Sequence, residues 1–328
     1  MGMYPRRLLC LLALALCTAV PSFPADEVPP AGPSAPVSGV ESGAKSKRPF
    51  NVFFINVGQG DSQYLELPNG QNVLIDGGPS KARIQAFLQS KGVTRIDHVV
   101  LTHQNADHYK GLNYVFDALQ VSNFYDTKID NSGAQGDDDL RAKAAAEPGC
   151  ALHYPRPGDT LDWGEGVSAK VLNSCPDPVA SGSGLDGGTE INNCSIAIRV
   201  SAEGRSVLFA GDAQSQAESA MVSRFGDELK SDILKVPHHG SAESSSQAFL
   251  GAVKPARAVL SVGKNGYGLP TDAALSRYRD SGITLLRTDV DGTVDGSGVF
   301  EKLLLSDAPE LPLSLPVAFE DAPAPPAD

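Results

Sequence analysis

Three apolar segments of this sequence each run directly into histidine or aspartate, and this pattern limits the possible folds more than any other feature. The segments HVVLT, SVLFAG and DILKVP end beside His103, Asp107, His108, Asp212, His238 and His239. Short apolar runs bounded by turn residues are typical of buried strands. In layered α/β folds, binding sites form where strands end. The pattern therefore predicts a strand-rich fold with a functional site at its strand ends.

The rest of residues 49–305 alternates strands and helices. NVFFINV, SQYLELP and NVLIDGG are separated by Gly-Gln-Gly-Asp and Pro-Asn-Gly turns, which predicts an antiparallel meander. SIAIRV and ARAVLSVG predict further strands, and helices are predicted near residues 81–90, 111–120, 215–224 and 245–253 and within 130–148. Residues 174–193 are rich in Gly, Ser and Asp and predict a long loop. Mixed sheets with helices outside them predict a single layered α/β domain.

The two ends of the chain differ in composition from this domain. Residues 1–24 combine two arginines with an apolar run, which favours a signal peptide over a buried N-terminal helix. We therefore expect an exported, periplasmic or secreted protein with no integral membrane segment after residue 24. Residues 25–48 are predicted to be a Pro/Ser/Gly-rich linker and residues 306–328 a flexible tail, because apolar burial there is too small to offset the entropy of ordering.

Charge and cysteine content narrow the classes of function. The formal net charge of −12 predicts an acidic surface that repels polyanions, which argues against a protein that coats DNA. After residue 24 the cysteines are Cys150, Cys175 and Cys194, so an oxidising compartment predicts one disulfide and one free thiol, with the pairing left open. The spacing of these cysteines contains no CxxC and does not favour a structural zinc site.

The segment THQNADHYKGL is the strongest local indication of chemistry. His103, Asp107 and His108 lie within six positions, and neutral imidazoles with a bridging carboxylate can hold two divalent ions that activate a shared water. The alternative is that these residues cap a helix or face solvent. The recurrence of ligand residues at Asp212 and at the His238–His239 pair favours the metal interpretation. GxSxG, Walker, dinucleotide-binding and HExxH motifs do not occur, which excludes the usual rival sites.

Seven sequence blocks extend this pattern to a known family. INVGQGDS, LIDGG, LTHQNADHYKGL, NNCSIAIRV, LFAGDA, KVPHHGS and SVGKNGYGLP occur in this order over about residues 49–304. The order resembles the metallo-β-lactamase-like domain of ComEC-type competence proteins. The resemblance implies a four-layered αββα sandwich with two divalent metal ions, zinc or manganese, and hydrolysis of phosphodiesters such as DNA.

The resemblance also implies roles for individual residues. The implied metal ligands are His103, Asn105, Asp107, His108, Asp212 as the bridging carboxylate, and His238. Asp107 is expected to orient the attacking water as well, and His239 to protonate the leaving group. Asp61 and Asp76 match family positions that are expected to orient the metal-binding loop through hydrogen bonds.

Two departures from the family pattern qualify these expectations. Asn105 stands where the family usually has aspartate, and Leu269 stands where many relatives have histidine. An uncharged amide is a weaker ligand, so one metal position is expected to be loose or empty. The alternatives are a weakened or inactive domain that binds DNA or a partner, and a hydrolase of other small esters. The expected partner is a small-molecule ester or DNA substrate, with no evident protein partner and an open oligomeric state.

Overall fold

Short strands, most of them buried along nearly their whole length, build two sheets in the computed structural model, which describes residues 49–129, 131, 136–175 and 188–306. The first sheet has the strand order β14-β1-β2-β3-β4-β5-β6 and the second β13-β12-β11-β10-β9-β8-β7. The strands are β1 (Asn51–Phe54), β2 (Gln63–Glu66), β3 (Asn72–Ile75), β4 (Arg95–Val100), β5 (Gln120–Tyr125), β6 (Ala151–His153), β7 (Thr160–Leu161), β8 (Val167–Asn173), β9 (Ala197–Ala202), β10 (Arg205–Phe209), β11 (Ile233–Lys235), β12 (Arg257–Leu260), β13 (Thr284–Arg287) and β14 (Val294–Asp295).

Helices cover the outer faces of both sheets. They are α1 (Lys81–Ser90), α2 (Ala106–Tyr109), α3 (Leu112–Ala118), α4 (Gly136–Ala146), α5 (Gly188–Asn193), α6 (Ser215–Phe225), α7 (Gln247–Val253), α8 (Asp272–Asp280), α9 (Thr288–Asp291) and α10 (Gly296–Ser306), with 3-10 helices at Gly226–Leu229 and Pro237–Gly240. Within the described ranges, no helix combines the length and apolar character needed to cross a membrane.

Three apolar clusters define the layers. One joins the facing sides of the two sheets and contains Phe54, Trp163 and Phe209. A second packs β10 and β11 against α6 and α7, and a third packs β3 and β4 against α1, α3 and α4. Each fully buried large apolar side chain contributes roughly 1.5–3 kcal/mol through its removal from water. The predicted αββα sandwich is confirmed, and the described residues belong to one compact unit, residues 45–328.

The strand pairing brings the loops that carry the candidate site residues to one end of the sandwich. The predicted meander is present, because β1, β2 and β3 pair antiparallel. β3 and β4 then run parallel, as do β10, β11 and β12. The loops after β4, β10 and β11 carry the polar residues identified in the sequence.

Several local predictions differ from the structure. The predicted strand HVVLT ends at Val100 rather than Thr102, which leaves the next residues free to turn into the site. Strands β6 and β7 have three and two residues, too few to show a periodic pattern. Residues 188–193, predicted as loop, form α5. The predicted signal peptide and linker, and residues 307–328 of the predicted tail, lie outside the described residues.

Candidate metal centre

The candidate ligands come from three loops at one end of the sandwich. His103 follows β4, and Asp107 and His108 lie on the short helix α2. Asp212 follows β10, and His238 and His239 lie in the 3-10 helix after β11. His238 and His239 have φ of 46° and 49°, a left-handed conformation that is rare outside glycine. Strain of this kind persists where the surrounding structure fixes it, and here it turns two neighbouring imidazoles in different directions.

One carboxylate oxygen is the centre of the cluster. Asp212 Oδ2 lies 3.3 Å from Nε2 of His108, 3.4 Å from Nε2 of His239 and 3.8 Å from Nε2 of His103. Asp107 Oδ2 lies 3.4 Å from Nε2 of His239. Two ligands bound tetrahedrally to one zinc-sized ion are about 3.3 Å apart, given bonds of about 2.0 Å. The atoms therefore have the spacing of ligands that share a cation.

Hydrogen bonds fix the rings in the orientation that a metal needs. His108 Nδ1 lies 2.7 Å from Asp76 Oδ2, and His239 Nδ1 lies 2.9 Å from the carbonyl oxygen of Ser261. His103 Nδ1 contacts the hydroxyls of Thr102 at 3.1 Å and Ser195 at 3.3 Å. A proton on Nδ1 that is used in this way leaves Nε2 with a free lone pair, which is the usual arrangement of metal-binding histidines.

The buried polar atoms supply the test of fit. Nε2 of His103, His108 and His239 and Oδ1 of Asp212 are buried with no hydrogen-bond partner among the described residues. Unpartnered buried polar atoms cost free energy, so a cluster of four calls for a ligand. The groups His103–His108–Asp212 and Asp107–His108–His239 each bring potential ligand atoms within 4.8 Å of one another. Imidazole nitrogen with carboxylate oxygen suits zinc and manganese alike, so the residues fit a divalent cation.

His238 and Asn105 lie at the side of this cluster. His238 Nε2 is 3.9 Å from Asp212 Oδ2, and its side chain is 20% exposed. Its Nδ1 lies 3.2 Å from the Gln214 amide, and its Nε2 lies 3.4 Å from Nδ2 of Asn192. Asn105 donates through Nδ2 to Asn192 Oδ1 at 2.9 Å. The structure thus brings all six predicted ligands and His239 to one site, with Asn105 engaged by another amide.

Two aspartates support the cluster from beneath. The hydrogen bonds expected of Asp76 are present, since it accepts from the Thr102 amide at 2.8 Å and the Thr102 hydroxyl at 2.7 Å as well as contacting His108. Asp61 forms an ion pair with Lys235, and both side chains are 1% exposed. Lys235 was missed in the sequence analysis, although a lysine inside the apolar segment DILKVP is itself a signal, because a buried charge requires a partner.

The charges of the cluster shift the pKa values of its members. Burial opposes the charged form of His239, but the carboxylates of Asp212 and Asp61 outweigh it and raise its pKa to about 10. Burial likewise opposes the charge of His108, and Asp212 and Asp76 raise its pKa well above the usual range. Burial lowers the pKa of His103. Because metal ligands must be deprotonated, a cation that binds these imidazoles competes with protons for them.

An open cavity of about 440 Å³ borders the cluster on the side of Asp107, Asp212 and His239. Its lining residues are Gln59, Asn105, Ala106, Asp107, Asp212, His238, His239, Ser241, Tyr267 and Leu269. Asp107 has 30% of its side chain exposed, whereas Asp212 is 3% exposed. Asp107 and His238 are therefore the more accessible acidic and imidazole groups of the lining.

A four-layered sandwich with a histidine and aspartate cluster at its strand ends defines a class of metal-binding α/β domain. Residues 55–264 match the model of the metallo-beta-lactamase superfamily, and the chain belongs to this superfamily. Membership implies divalent metal binding, for which the cluster supplies candidate ligands.

Similar proteins include competence proteins. The chain is 28% identical to ComE operon protein 3 of Bacillus subtilis over 74% of its own length and 32% of that protein, and 33% identical to competence protein ComA of Neisseria gonorrhoeae over 73% and 31%. It spans about a third of the length of these relatives. Among solved structures, CmlA, a diiron beta-hydroxylase from Streptomyces venezuelae, matches with a TM-score of 0.49 and 15% identity over 75% of this chain and 54% of that one.

Proposed function

We propose that this chain is a metal-dependent hydrolase that cleaves phosphodiesters. The observation that carries the proposal is the convergence of unpartnered, buried Nε2 atoms of His103, His108 and His239 on Asp212 at the floor of an open cavity. Divalent ions bound there supply Lewis-acid polarisation of a phosphoryl oxygen and an activated water at neutral pH.

The proposed ligand set is Asp107, His108, Asp212 and His239 for one ion, with His103 and Asp212 for a second. Contacts favour His239 over His238 as a ligand, because its Nε2 lies 0.5 Å closer to Asp212 Oδ2, at 3.4 Å rather than 3.9 Å. The second position has fewer ionised ligands, since Asn105 supplies only an amide. We retain two divalent ions, zinc or manganese, as part of the proposal, with the His103 side binding more weakly.

Asp107 and His238 carry the remaining steps. Asp107 is part-exposed beside the ligand atoms, so it can accept a hydrogen bond from the attacking water and fix its direction. His238 lines the same cavity and is braced by the Gln214 amide, so it can form a hydrogen bond to the leaving oxygen, while burial lowers its pKa. Our sequence interpretation gave the role of proton donor to the leaving group to His239, whose Nδ1 contacts the Ser261 carbonyl.

For the substrate we rank short nucleic-acid phosphodiesters first. Support comes from the resemblance of the seven sequence blocks to ComEC-type competence proteins and from the name of the Neisseria gonorrhoeae relative, which refers to competence. The chain spans only about a third of each relative. The net charge of −12 argues against tight binding of long polyanions, so we favour short strands over duplex DNA, with other small esters as the alternative.

Metal analysis with turnover tests the proposal. Dialysed protein is expected to retain divalent metal by elemental analysis and to hydrolyse bis(p-nitrophenyl) phosphate when Mn²⁺ or Zn²⁺ is supplied. A panel of single-stranded oligonucleotide, duplex DNA and carboxylic esters then separates the substrate classes. Folded, metal-loaded protein that hydrolyses no phosphodiester in this panel refutes the proposal.

A non-catalytic binding domain is the second candidate. It is supported by the hydrogen bond that turns the Asn105 amide towards Asn192 and by Leu269 at a position where a histidine could carry a proton. This alternative expects metal content well below one ion per chain and no turnover in the same experiment.

We also propose that the protein is exported. Support comes from the disulfide between Cys175 and Cys194, because disulfides persist in oxidising compartments. Fractionation of cells that express the full chain, followed by thiol labelling without reductant, tests the proposal. Recovery in the cytoplasm with all thiols free contradicts it.

A further inference from the structure

An exposed aromatic ring stands at the mouth of the metal cavity. Tyr267 lines this cavity together with Asp107, Asp212 and His239, yet its side chain is 80% exposed, the largest exposure of any large apolar residue in the described ranges. Exposure of an aromatic ring to water costs free energy that contact with an apolar surface recovers. The position therefore offers unused binding surface beside the candidate catalytic atoms.

The loop that carries Tyr267 is held by one side chain. Asn265 accepts hydrogen bonds from the amides of Tyr267 at 2.9 Å and Leu269 at 3.2 Å. Its Nδ2 donates to the carbonyls of Gly263 at 2.9 Å and Leu269 at 2.8 Å. Gly263 also packs so closely on Gly58 that an added Cβ would lie 2.5 Å from a backbone carbon. Four hydrogen bonds and this contact fix the direction in which the ring is presented.

The residues next to Tyr267 leave its ring uncovered. Gly266 and Gly268 flank Tyr267 and carry no side chain that could lie over the ring, and the residue is 80% exposed. Tyr267, Leu269 and Ala106 are apolar members of the cavity lining, which also includes the charged ligand candidates. An exposed flat ring suits a planar group, because aromatic surfaces stack on nucleobases of any identity.

We propose that Tyr267 is a stacking platform for the nucleobase next to the scissile phosphodiester, an inference that rests on the proposed hydrolase function. Cations held by the ligand candidates would take the phosphate, and the exposed ring of Tyr267 would take the base. Stacking of this kind is independent of base identity, so the site selects nucleotides over other phosphate esters without selecting a sequence.

Paired ligands that differ only in the base test the platform. Mn²⁺-loaded protein is titrated by calorimetry with adenosine monophosphate and with ribose 5-phosphate, which carry the same phosphate. We expect the nucleotide to bind about tenfold more tightly, from the usual strength of base–aromatic stacking. Tyr267→Leu should remove most of this ratio, whereas Tyr267→Phe should retain it.

Tyr154→Leu is the matched control. Tyr154 is also a part-exposed tyrosine, at 36%, but it lines a separate cavity with His153 and Asp159, so its loss should leave the ratio unchanged. Three results would overturn the platform: equal affinity for the two ligands in the unaltered protein, no binding of either ligand, or an affinity ratio that survives Tyr267→Leu.

Hydrolysis of bis(p-nitrophenyl) phosphate is measured on the same samples. If the protein hydrolyses the phosphodiester but binds the two ligands equally, the platform alone is refuted. If it prefers the nucleotide but hydrolyses no phosphodiester, the hydrolase proposal is refuted.

Discussion

The ammonium group of Lys235 contacts the carboxylate of Asp61 beneath the histidine cluster, and both side chains are 1% exposed. Lys235 also donates to the carbonyl of Gly211 at 3.2 Å and lies 3.8 Å from Asp212 Oδ1. The lysine therefore pairs with one carboxylate and faces a second, in a part of the protein where several negative charges are packed together. Its positive charge offsets the repulsion between Asp61 and Asp212 without taking up a candidate ligand nitrogen.

Lys235→Met is predicted to destabilise the fold severely. Removal of one partner from a buried ion pair leaves an uncompensated charge, which costs about 3–5 kcal/mol in the free energy of unfolding. Urea denaturation of metal-free protein measures this loss. Lys170→Met is the control, because Lys170 pairs with Glu228 at the surface and its loss should cost less than about 1 kcal/mol. Equal effects of the two substitutions would contradict the assigned role of Lys235.

Asp212→Ala is predicted to abolish metal retention. The substitution removes the carboxylate oxygen that the Nε2 atoms of three imidazoles approach. Two cations bound at this site would then repel each other without a negative charge to offset the repulsion. We expect metal affinity to fall by more than about a hundredfold, measured by elemental analysis after dialysis. Asp232→Ala removes an aspartate that bonds the Ser206 amide and hydroxyl instead and should retain metal. Full metal content in Asp212→Ala would refute the bridging role.

Asn105→Asp is predicted to tighten Mn²⁺ binding about tenfold, because an ionised oxygen binds a hard cation better than an amide. Asn192 now directs its amide oxygen, Oδ1, at position 105. Its amide must therefore flip to present the NH2 group to the new carboxylate, and the flip gives up only the 3.4 Å contact between Asn192 Nδ2 and His238 Nε2. Mn²⁺ titration measures the change. Asn113→Asp adds the same charge near Lys143 and should have no effect. An unchanged affinity would mean that position 105 does not face a cation.

The sequence predicts the sandwich and the members of the site because both depend on local patterns. Apolar runs and the turns between them identify most central strands, and polar residues at their ends identify the candidate ligands. His98 differs from the ligand candidates because it lies inside β4 rather than at the end of the strand, and its ring nitrogens contact the Tyr125 hydroxyl at 3.2 Å and Gln71 Oε1 at 3.3 Å. These conclusions need no knowledge of how distant segments meet.

Long-range contacts decide what the sequence left open. Asn105 meets Asn192 across 87 positions, and no local pattern reports this pairing. The difference between His238 and His239 arises from two successive left-handed residues and from the Ser261 carbonyl that holds only the second ring. The sequence likewise does not indicate which cysteine pairs with Cys194. The fold determines the pairing, because Cys175 follows β8 and lies next to Cys194, which follows α5.

Cys150 is predicted to react slowly with alkylating agents at neutral pH. Burial, with a further effect from Glu147, raises the pKa of its thiol to about 11, and only the thiolate is nucleophilic. Its thiolate fraction at pH 8 is therefore about a hundredfold below that of a thiol with pKa 9. Iodoacetamide labelling followed by peptide mass spectrometry should show a rate that rises with pH up to about 11. Rapid labelling of the Cys150 peptide at pH 7 in folded protein would contradict the raised pKa of this thiol.

Reduction of the Cys175–Cys194 disulfide is predicted to destabilise the protein and weaken the metal centre. The bond closes a loop of 19 positions, and loss of such a cross-link costs about 3 kcal/mol. Cys194 precedes Ser195, whose hydroxyl accepts from the Asp212 amide at 3.0 Å and contacts His103 Nδ1. Release of this segment should therefore also lower metal affinity. Urea unfolding and Mn²⁺ titration with and without reductant measure both effects, and Cys150→Ala should respond to reductant as the unaltered protein does. Lower stability with undiminished metal affinity would show that Ser195 holds its position without the disulfide.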